Sequence, residues 1–301
     1  MIYIVITSYN EPLATIKAIE SVLKQEFSKE FKLIIADPFE DVLWDLEEKF
    51  GNKIEYYQDE GKGKSVTLNQ IIKQYYSKNK DEIFIFTDGD VYLTEGSIQK
   101  IIDAFEDKTI GVVCGQPISM NSKDNMLGYW SHLLLSEMNK TRKKAHQKKE
   151  FFEVSGYLFA MRNGVINSFP VNASEDNVIP ALFWSKGYKI GYAEEAKVMV
   201  LNPQNFKDWV IQKKRNLKGH ISLKYVNAKN TPRKNTFFGE AIRGLRFVFI
   251  YPSNVKEFFW TFGVLYGRLH VWALAYYESK FKEDYKDGWR EETTDSTKPL
   301  D

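Results

Sequence analysis

The sequence predicts an α/β fold in which a mostly parallel sheet is covered by helices. Short runs rich in Ile, Val and Phe alternate with helix-period segments over roughly the first 115 residues. Several of these runs are continuous rather than alternating, as in strands buried on both faces. Polar and acidic residues follow the runs directly, at the carboxyl ends where open sheets hold ligands.

Taken in order, Ile2–Ile6 reads as the first strand. Pro12–Gln25 reads as a helix, with Pro12 suited to its first turn and Ile16, Ile19 and Leu23 on one face. Strands are expected at Phe31–Ala36, Ile54–Tyr57, Ile83–Phe86 and Ile110–Cys114, and helices at Val42–Phe50, Val66–Tyr76 and Ser97–Phe105. Beyond Cys114 the alternation weakens. Met126–Ala145, Asn177–Trp184 and Phe206–Lys218 read as helices and Phe152–Met161 as a strand. Three regions are expected: a catalytic domain over 1–225, an aromatic-rich helical extension over 226–288 and a polar tail over 289–301.

Composition narrows the function classes. With 43% hydrophobic and 27% charged residues, the chain is neither disordered nor collagen-like. Its 42 Lys and Arg against 40 Asp and Glu leave a net charge of +2, too balanced for a chain-wide nucleic-acid binder. Cys114 is the sole cysteine, so no internal disulfide forms and a reducing compartment is expected. The opening MIYIVITSYN lacks a cationic region and a long apolar run, so no secretory leader is expected. Charge is segregated locally: residues 207–246 carry a net +9, and 140–149 hold six cations and no acid. Such runs are either solvated helix faces or attractors of phosphate and anionic lipid.

The strand ends carry the chemistry. The first strand runs into Thr7-Ser8-Tyr9-Asn10-Glu11, suited to hydrogen-bonding and stacking a nucleoside, or to an ordinary strand–helix loop. Asp37 ends the second strand as a ribose or base acceptor, or as a turn residue before Pro38. Gly61-Lys62-Gly63-Lys64-Ser65 has a Gly-Lys-Ser triplet, but Gln58 stands where a P-loop needs its first glycine. What remains is a basic loop and a helix start, where Lys64 could meet an anion.

Thr87-Asp88-Gly89-Asp90 follows the apolar run Ile83–Phe86. Two carboxylates held together repel unless a cation or hydroxyls lie between them, and a hard cation such as Mg²⁺ or Mn²⁺ suits that place. Glu175-Asp176 precedes another apolar segment, as a helix start or as a general base. Gln212 and Arg215 share a helix face, where Arg215 could clamp a diphosphate, and His220 follows soon after.

In this order, Thr-x-Tyr-Asn-Glu, Asp37, Gly-Lys, Asp-x-Asp, Glu-Asp and Gln-x-x-Arg resemble the family 2 glycosyltransferases of GT-A fold, from about Ile2 to His220. The resemblance implies an inverting transfer of a sugar from a nucleotide-diphosphate sugar to an acceptor hydroxyl. Thr7, Tyr9, Asn10, Glu11 and Asp37 would line the nucleoside pocket beside Lys64. Asp88 and Asp90 would hold Mn²⁺ or Mg²⁺ and the diphosphate, and His220 is a looser third metal ligand. Asp176 would be the base, paired with Glu175, and Gln212 and Arg215 would match the Gln-x-x-Arg-Trp motif of processive and lipid-linked relatives. Asn216 replaces that motif's Trp, which speaks against processive synthesis.

Residues 247–277 contain eleven Phe, Trp or Tyr, with Phe258, Phe262, Leu265, Leu269, Trp272 and Tyr276 at helical spacing. Arg268 splits the uncharged runs, so no membrane span is expected. The stripe packs on the catalytic domain or a second subunit, or lies in the membrane interface; the last is favoured, for a lipid-linked or cell-envelope acceptor met at the inner membrane face from the cytoplasm. The rival enzyme is a sugar-phosphate nucleotidylyltransferase, against which the absence of a Gly-rich loop after the first strand counts. A non-catalytic membrane adaptor of the same fold is the other alternative.

Overall fold

The structure, a computed structural model, describes residues 1–171, 174–222 and 250–281, the side chains of 219–222 and 279–281 excepted. An eight-stranded mixed sheet forms its centre, with strand order β3-β2-β1-β4-β7-β6-β8-β5. Its strands are β1 (Ile2–Thr7), β2 (Phe31–Asp37), β3 (Glu55–Gln58), β4 (Ile83–Asp88), β5 (Val91–Leu93), β6 (Ile110–Ser119), β7 (Leu158–Arg162) and β8 (Lys189–Val200). The β3-β2-β1-β4 half is parallel, as is the β6–β8 pair, whereas β7 runs antiparallel to both its neighbours and β5 is antiparallel to β8.

The period of two in β1 explains the layering. Ile2, Ile4 and Ile6 face one side, where α1 (Pro12–Leu23), α2 (Glu40–Phe50) and α4 (Ser97–Ala104) bury Ala18, Ile19, Leu46, Ile98 and Ile101 against them. Val5 faces the other side with Phe84, Phe86 and Cys114, beneath α3 (Lys64–Gln74) and α6 (Glu175–Ser185). Burial pushes the Cys114 thiol above its ordinary pKa.

A third apolar cluster joins α5 (Met126–Gln147), α7 (Phe206–Ser222) and α8 (Val255–Phe281) around Trp130, Trp209, Leu217, Val264, Val271 and Ala275. Two glycines let α8 approach closely. A Cβ on Gly263 would stand 3.0 Å from Trp130 Cζ2, and one on Gly267 would stand 3.1 Å from Trp209 Cζ3. The buried face of α8 is therefore Thr261, Val264, Gly267, Val271 and Ala275, whereas Phe262, Leu269 and Tyr276 of the expected stripe are exposed. No helix among the described residues is long and apolar enough to cross a membrane.

Three strands departed from the sequence expectation, and β5, at three residues too short to show a period, has no counterpart in it. β8 has none either, because Glu194, Glu195 and Lys197 break the apolar pattern where every second residue turns outward. The expected Phe152–Met161 strand is regular only from Leu158. The preceding residues form the loop that reaches the carboxyl end of β4, where Thr87 Oγ1 donates to the Tyr157 carbonyl at 2.8 Å. Most of the basic stretch 207–246, along with 226–249 and 289–301 of the expected outer regions, lies outside the described residues.

Candidate active site

The carboxyl ends of β1 and β4 lie side by side. Thr7 pairs with Asp88 in the sheet register, and its hydroxyl donates to Asp88 Oδ1 at 3.2 Å. The turn after β4 then passes close beneath the β1 loop. A Cβ on Gly89 would sit 2.9 Å from Thr15 Oγ1 and 3.0 Å from Ser8 Cβ, so only glycine fits there without displacement. The Gly89 amide donates to the Thr7 carbonyl at 2.8 Å, fixing the turn that carries Asp90.

Lys64 joins this strand end to a distant helix. It is the first residue of α3, after Gly63 at φ 112, and its ammonium reaches Asp88 Oδ1 at 2.5 Å and Glu175 Oε1 at 3.0 Å. Burial opposes that charge, but the pull of Asp88 and Glu175 outweighs it and holds the Lys64 pKa above its ordinary value. The ammonium thus meets two carboxylates here, where the basic loop was expected to offer it to an anion.

Asp176 is set by two local devices. Pro180 sits inside α6 and has no N–H, so the Asp176 carbonyl four residues earlier lacks its helical donor. Val154 fills that role, its amide donating to the Asp176 carbonyl at 3.2 Å and pinning the loop before β7 to the start of α6. Ser174 at the N-cap does not cap the backbone; its hydroxyl donates to Asp176 Oδ1. Gly156, on the pinned loop, marks the point of convergence. A Cβ there would lie 3.6 Å from Glu175 Oε1, 3.8 Å from Asp176 Oδ2 and 3.9 Å from Lys64 Nζ.

These groups open onto one cleft of about 680 Å³. Thr7, Tyr9, Glu11, Lys64, Asp88, Asp90, Glu175, Asp176, Gln212 and Arg215 all line it. Asn10 and Asp37 do not. Asp37 is fully buried, and its oxygens accept from the Asn10 amide at 3.0 Å and the Phe39 amide at 2.8 Å. Burial raises its pKa, against the lowering effect of those amides and the Ser8 hydroxyl. Asp37 therefore braces the β1 loop, and Asn10, at φ 53, contributes its backbone to that brace. Tyr9 packs edge-on against Phe39, with ring centroids 5.1 Å apart. The side chain of His220 lies outside the described residues.

A family model described as glycosyl transferase family 2 matches residues 3–169, more than half of the chain. The chain belongs to glycosyltransferase family 2. A comparison with curated protein sequences gives no match. Among solved structures, this glycosyltransferase is similar in fold to the mannosyltransferase PcManGT from Pyrobaculum calidifontis, a complex with GDP-Man and Mn²⁺. The two share 14% identity over 93% of this chain and 79% of that one, with a TM-score of 0.58. S. aureus TarS 1-349 aligns over 90% of this chain and 81% of that one, with 16% identity and a TM-score of 0.49.

The glycosyltransferase also brings into the cleft residues that motif reading passes over. Arg142 of α5 donates to the Glu153 carbonyl at 3.0 Å and the Val154 carbonyl at 2.8 Å, holding the loop before β7 from behind. Asn202, just past β8, is clamped by the Asn121 side chain, which donates to the Asn202 carbonyl and accepts from its amide, each at 2.9 Å. Buried atoms Arg142 Nη1, Asn202 Nδ2 and Gln212 Oε1 have no hydrogen-bond partner among the described residues, and all three residues line the cleft. Arg268 and Trp272 of α8 line it too. Asn202 was hidden because β8 was, and α8 lies far along the chain from any motif.

Proposed function

We propose that the enzyme transfers a sugar, of the hexosyl class, from a nucleotide-diphosphate sugar to an acceptor hydroxyl with inversion at the anomeric carbon. One observation carries the reading: Asp88 and Asp90, distant in sequence from Asp176, wall a single cleft with it, and Lys64 stands between Asp88 and Glu175. Thr7, Tyr9 and Glu11 form the nucleoside end, resting on the loop that Asp37 and Asn10 brace. Arg215 supplies a donor fork at the diphosphate end, with Gln212 one helical turn before it on the same face.

Among the described residues no group of three or more His, Cys, Asp or Glu is placed to hold a metal unaided. The donor set nonetheless fits a hard cation. Mg²⁺ is commonly held by one or two carboxylates with substrate phosphates completing its shell, and Mn²⁺ likewise suits oxygen donors. Asp90 and Asp88 would hold Mn²⁺ or Mg²⁺, whose chemistry when bound is to offset negative charge on the leaving diphosphate. Asp176 takes the proton of the acceptor hydroxyl, its carboxylate oriented by Ser174 and its backbone by Val154. A direct displacement with the base on the face opposite the leaving group gives inversion.

The acceptor is a glycan of the cell envelope or a lipid-linked sugar, met at the inner face of the membrane by peripheral contact. The exposed side of α8 supports that contact: Val255, Phe259, Phe262, Tyr266, Leu269 and Tyr276 are each at least 47% exposed. Liposome co-sedimentation at low and high salt tests it, and absence of lipid binding at both removes it.

The decisive experiment is a thermal-shift panel of nucleoside diphosphates and their sugars with Mn²⁺, Mg²⁺ or EDTA. One nucleotide should raise Tm with metal and lose most of that effect in EDTA and in Asp90→Asn. A flat panel overturns the reading.

A further inference from the structure

The α7 segment that carries Gln212 and Arg215 ends on Asn216 instead of an aromatic ring, yet the cleft does not lack one beside it. Trp272 of α8 lines the cleft that Gln212, Arg215 and Asn216 line, and Arg268, one helical turn earlier on the same face, lines it as well. We infer that α8 forms the acceptor wall of the active site, with Trp272 as the face on which a sugar ring of the acceptor stacks and Arg268 as the donor to that ring's oxygens. The inference rests on the glycosyltransferase reading and deepens it by naming the residues that would hold the acceptor's sugar ring.

The placement is built, because α8 is fixed to α7 along its length. Glu278 pairs with Lys214 at 2.7 Å and also with Lys218. Val271 and Ala275, flanking Trp272 on the helix, are fully buried, and Gly267 brings the backbone against Trp209. Trp272 is half-buried, with part of its surface against the cluster of Trp209 and Leu217 and part facing the cleft. A rigid ring held in this way binds at low entropic cost.

The same arrangement explains why a cation interrupts the most aromatic segment of the chain. On the outer face its neighbours are Tyr266 and Leu269, whereas Arg268 turns inward to the cleft, whose lining also carries Asp90, Glu175 and Asp176. A pyranose presents an apolar C–H face and a rim of hydroxyls. A flat aromatic surface next to a planar fork of donors matches both parts.

The test uses the full chain, with p-nitrophenyl hexosides and N-acetylhexosaminides as acceptor probes and 1-octanol as the non-sugar control. Saturation-transfer NMR in the presence of Mn²⁺ and the nucleoside diphosphate selected by the thermal panel reads binding directly. At least one glycoside should bind, and octanol should not compete with it. Trp272→Ala should weaken that binding about tenfold and Trp272→Phe should restore most of it. Nucleotide affinity should stay within about twofold in both variants, and in turnover the loss should fall on acceptor KM. Equal glycoside binding by wild type and Trp272→Ala overturns the inference, as does absence of glycoside binding by wild type. Parallel loss of nucleotide binding in Trp272→Ala would make the ring a scaffold element and overturn it too. Failure of wild type to bind any nucleotide strikes the glycosyltransferase reading itself, a separate result.

Discussion

Lys64 Nζ and Glu175 Oε1 stand 3.0 Å apart, and each belongs to the first residue of its helix, α3 and α6. The pair ties two helix starts together over the end of β4, where Lys64 also holds Asp88. A cation at a helix N-terminus opposes the helix dipole, so Lys64 is stable there only because two carboxylates face it. The acids in turn would repel each other without it.

Lys64→Met should therefore cost about 3 kcal/mol in urea denaturation, since it leaves two largely buried carboxylates uncompensated. The folded-state pKa of Lys64 is raised, so its stabilising contribution is full below the unfolded lysine value near ~10.4 and declines as pH rises above it. The stability gap between wild type and variant should be flat through neutral pH and narrow only in strong alkali. A gap that closes already at neutral pH would contradict the charge argument.

Asp176→Asn should lower the transfer rate by at least about 100-fold while nucleotide-sugar affinity stays within about twofold. Asn keeps the shape and can still accept from Ser174, but takes no proton. Turnover close to wild type, measured at saturating acceptor, would remove Asp176 from the role of base.

Pro180→Ala should stabilise the protein and impair it. The substitution restores an N–H that can bond the Asp176 carbonyl within α6, relieving an interior proline that costs a helix about 3 kcal/mol in isolation. The restored donor competes with Val154 for the Asp176 carbonyl, so the loop before β7 should loosen. A rise in Tm together with faster amide exchange at Val154 and slower turnover is the expected combination. Unchanged exchange at Val154 would show that the proline is not what commits that carbonyl to the loop.

Gly267→Val should destabilise the α5–α7–α8 cluster by about 1–3 kcal/mol, because even a Cβ would stand 3.1 Å from Trp209. Near-UV circular dichroism should report altered packing of Trp130 and Trp209, whereas nucleotide affinity should be little changed. A variant with native stability would mean that α8 does not seat as closely as described.

The β3-β2-β1-β4 half of the sheet was readable in the sequence, because strands covered on both faces must be continuously apolar and the helices that cover them repeat at 3.6 residues. Ile2–Thr7 and Ile83–Asp88 announce themselves in this way. β8 did not, since its outward-facing Glu194, Glu195 and Lys197 gave it the pattern of a surface segment. Asp37 at its strand end is expected as a ligand group or a turn residue; its bond from the Phe39 amide is local, but only the path of the chain after β1 turns the Asn10 amide onto it.

By itself, the sequence determined the β3-β2-β1-β4 half of the sheet, its covering helices and which turns bear carboxylates, because periodicity and the short-range demands of strand ends are local properties. Tertiary structure decided which of those turns meet. Lys64, Asp88, Glu175 and Asp176 converge because β7 enters antiparallel and delivers the Gly156 loop to the end of β4, and Pro180 leaves a carbonyl to hold it there. It also decided that α8 faces the cleft with Arg268 and Trp272, since the buried side of a helix that is apolar almost all round is chosen by the shape of its neighbours, here the close seats at Gly263 and Gly267.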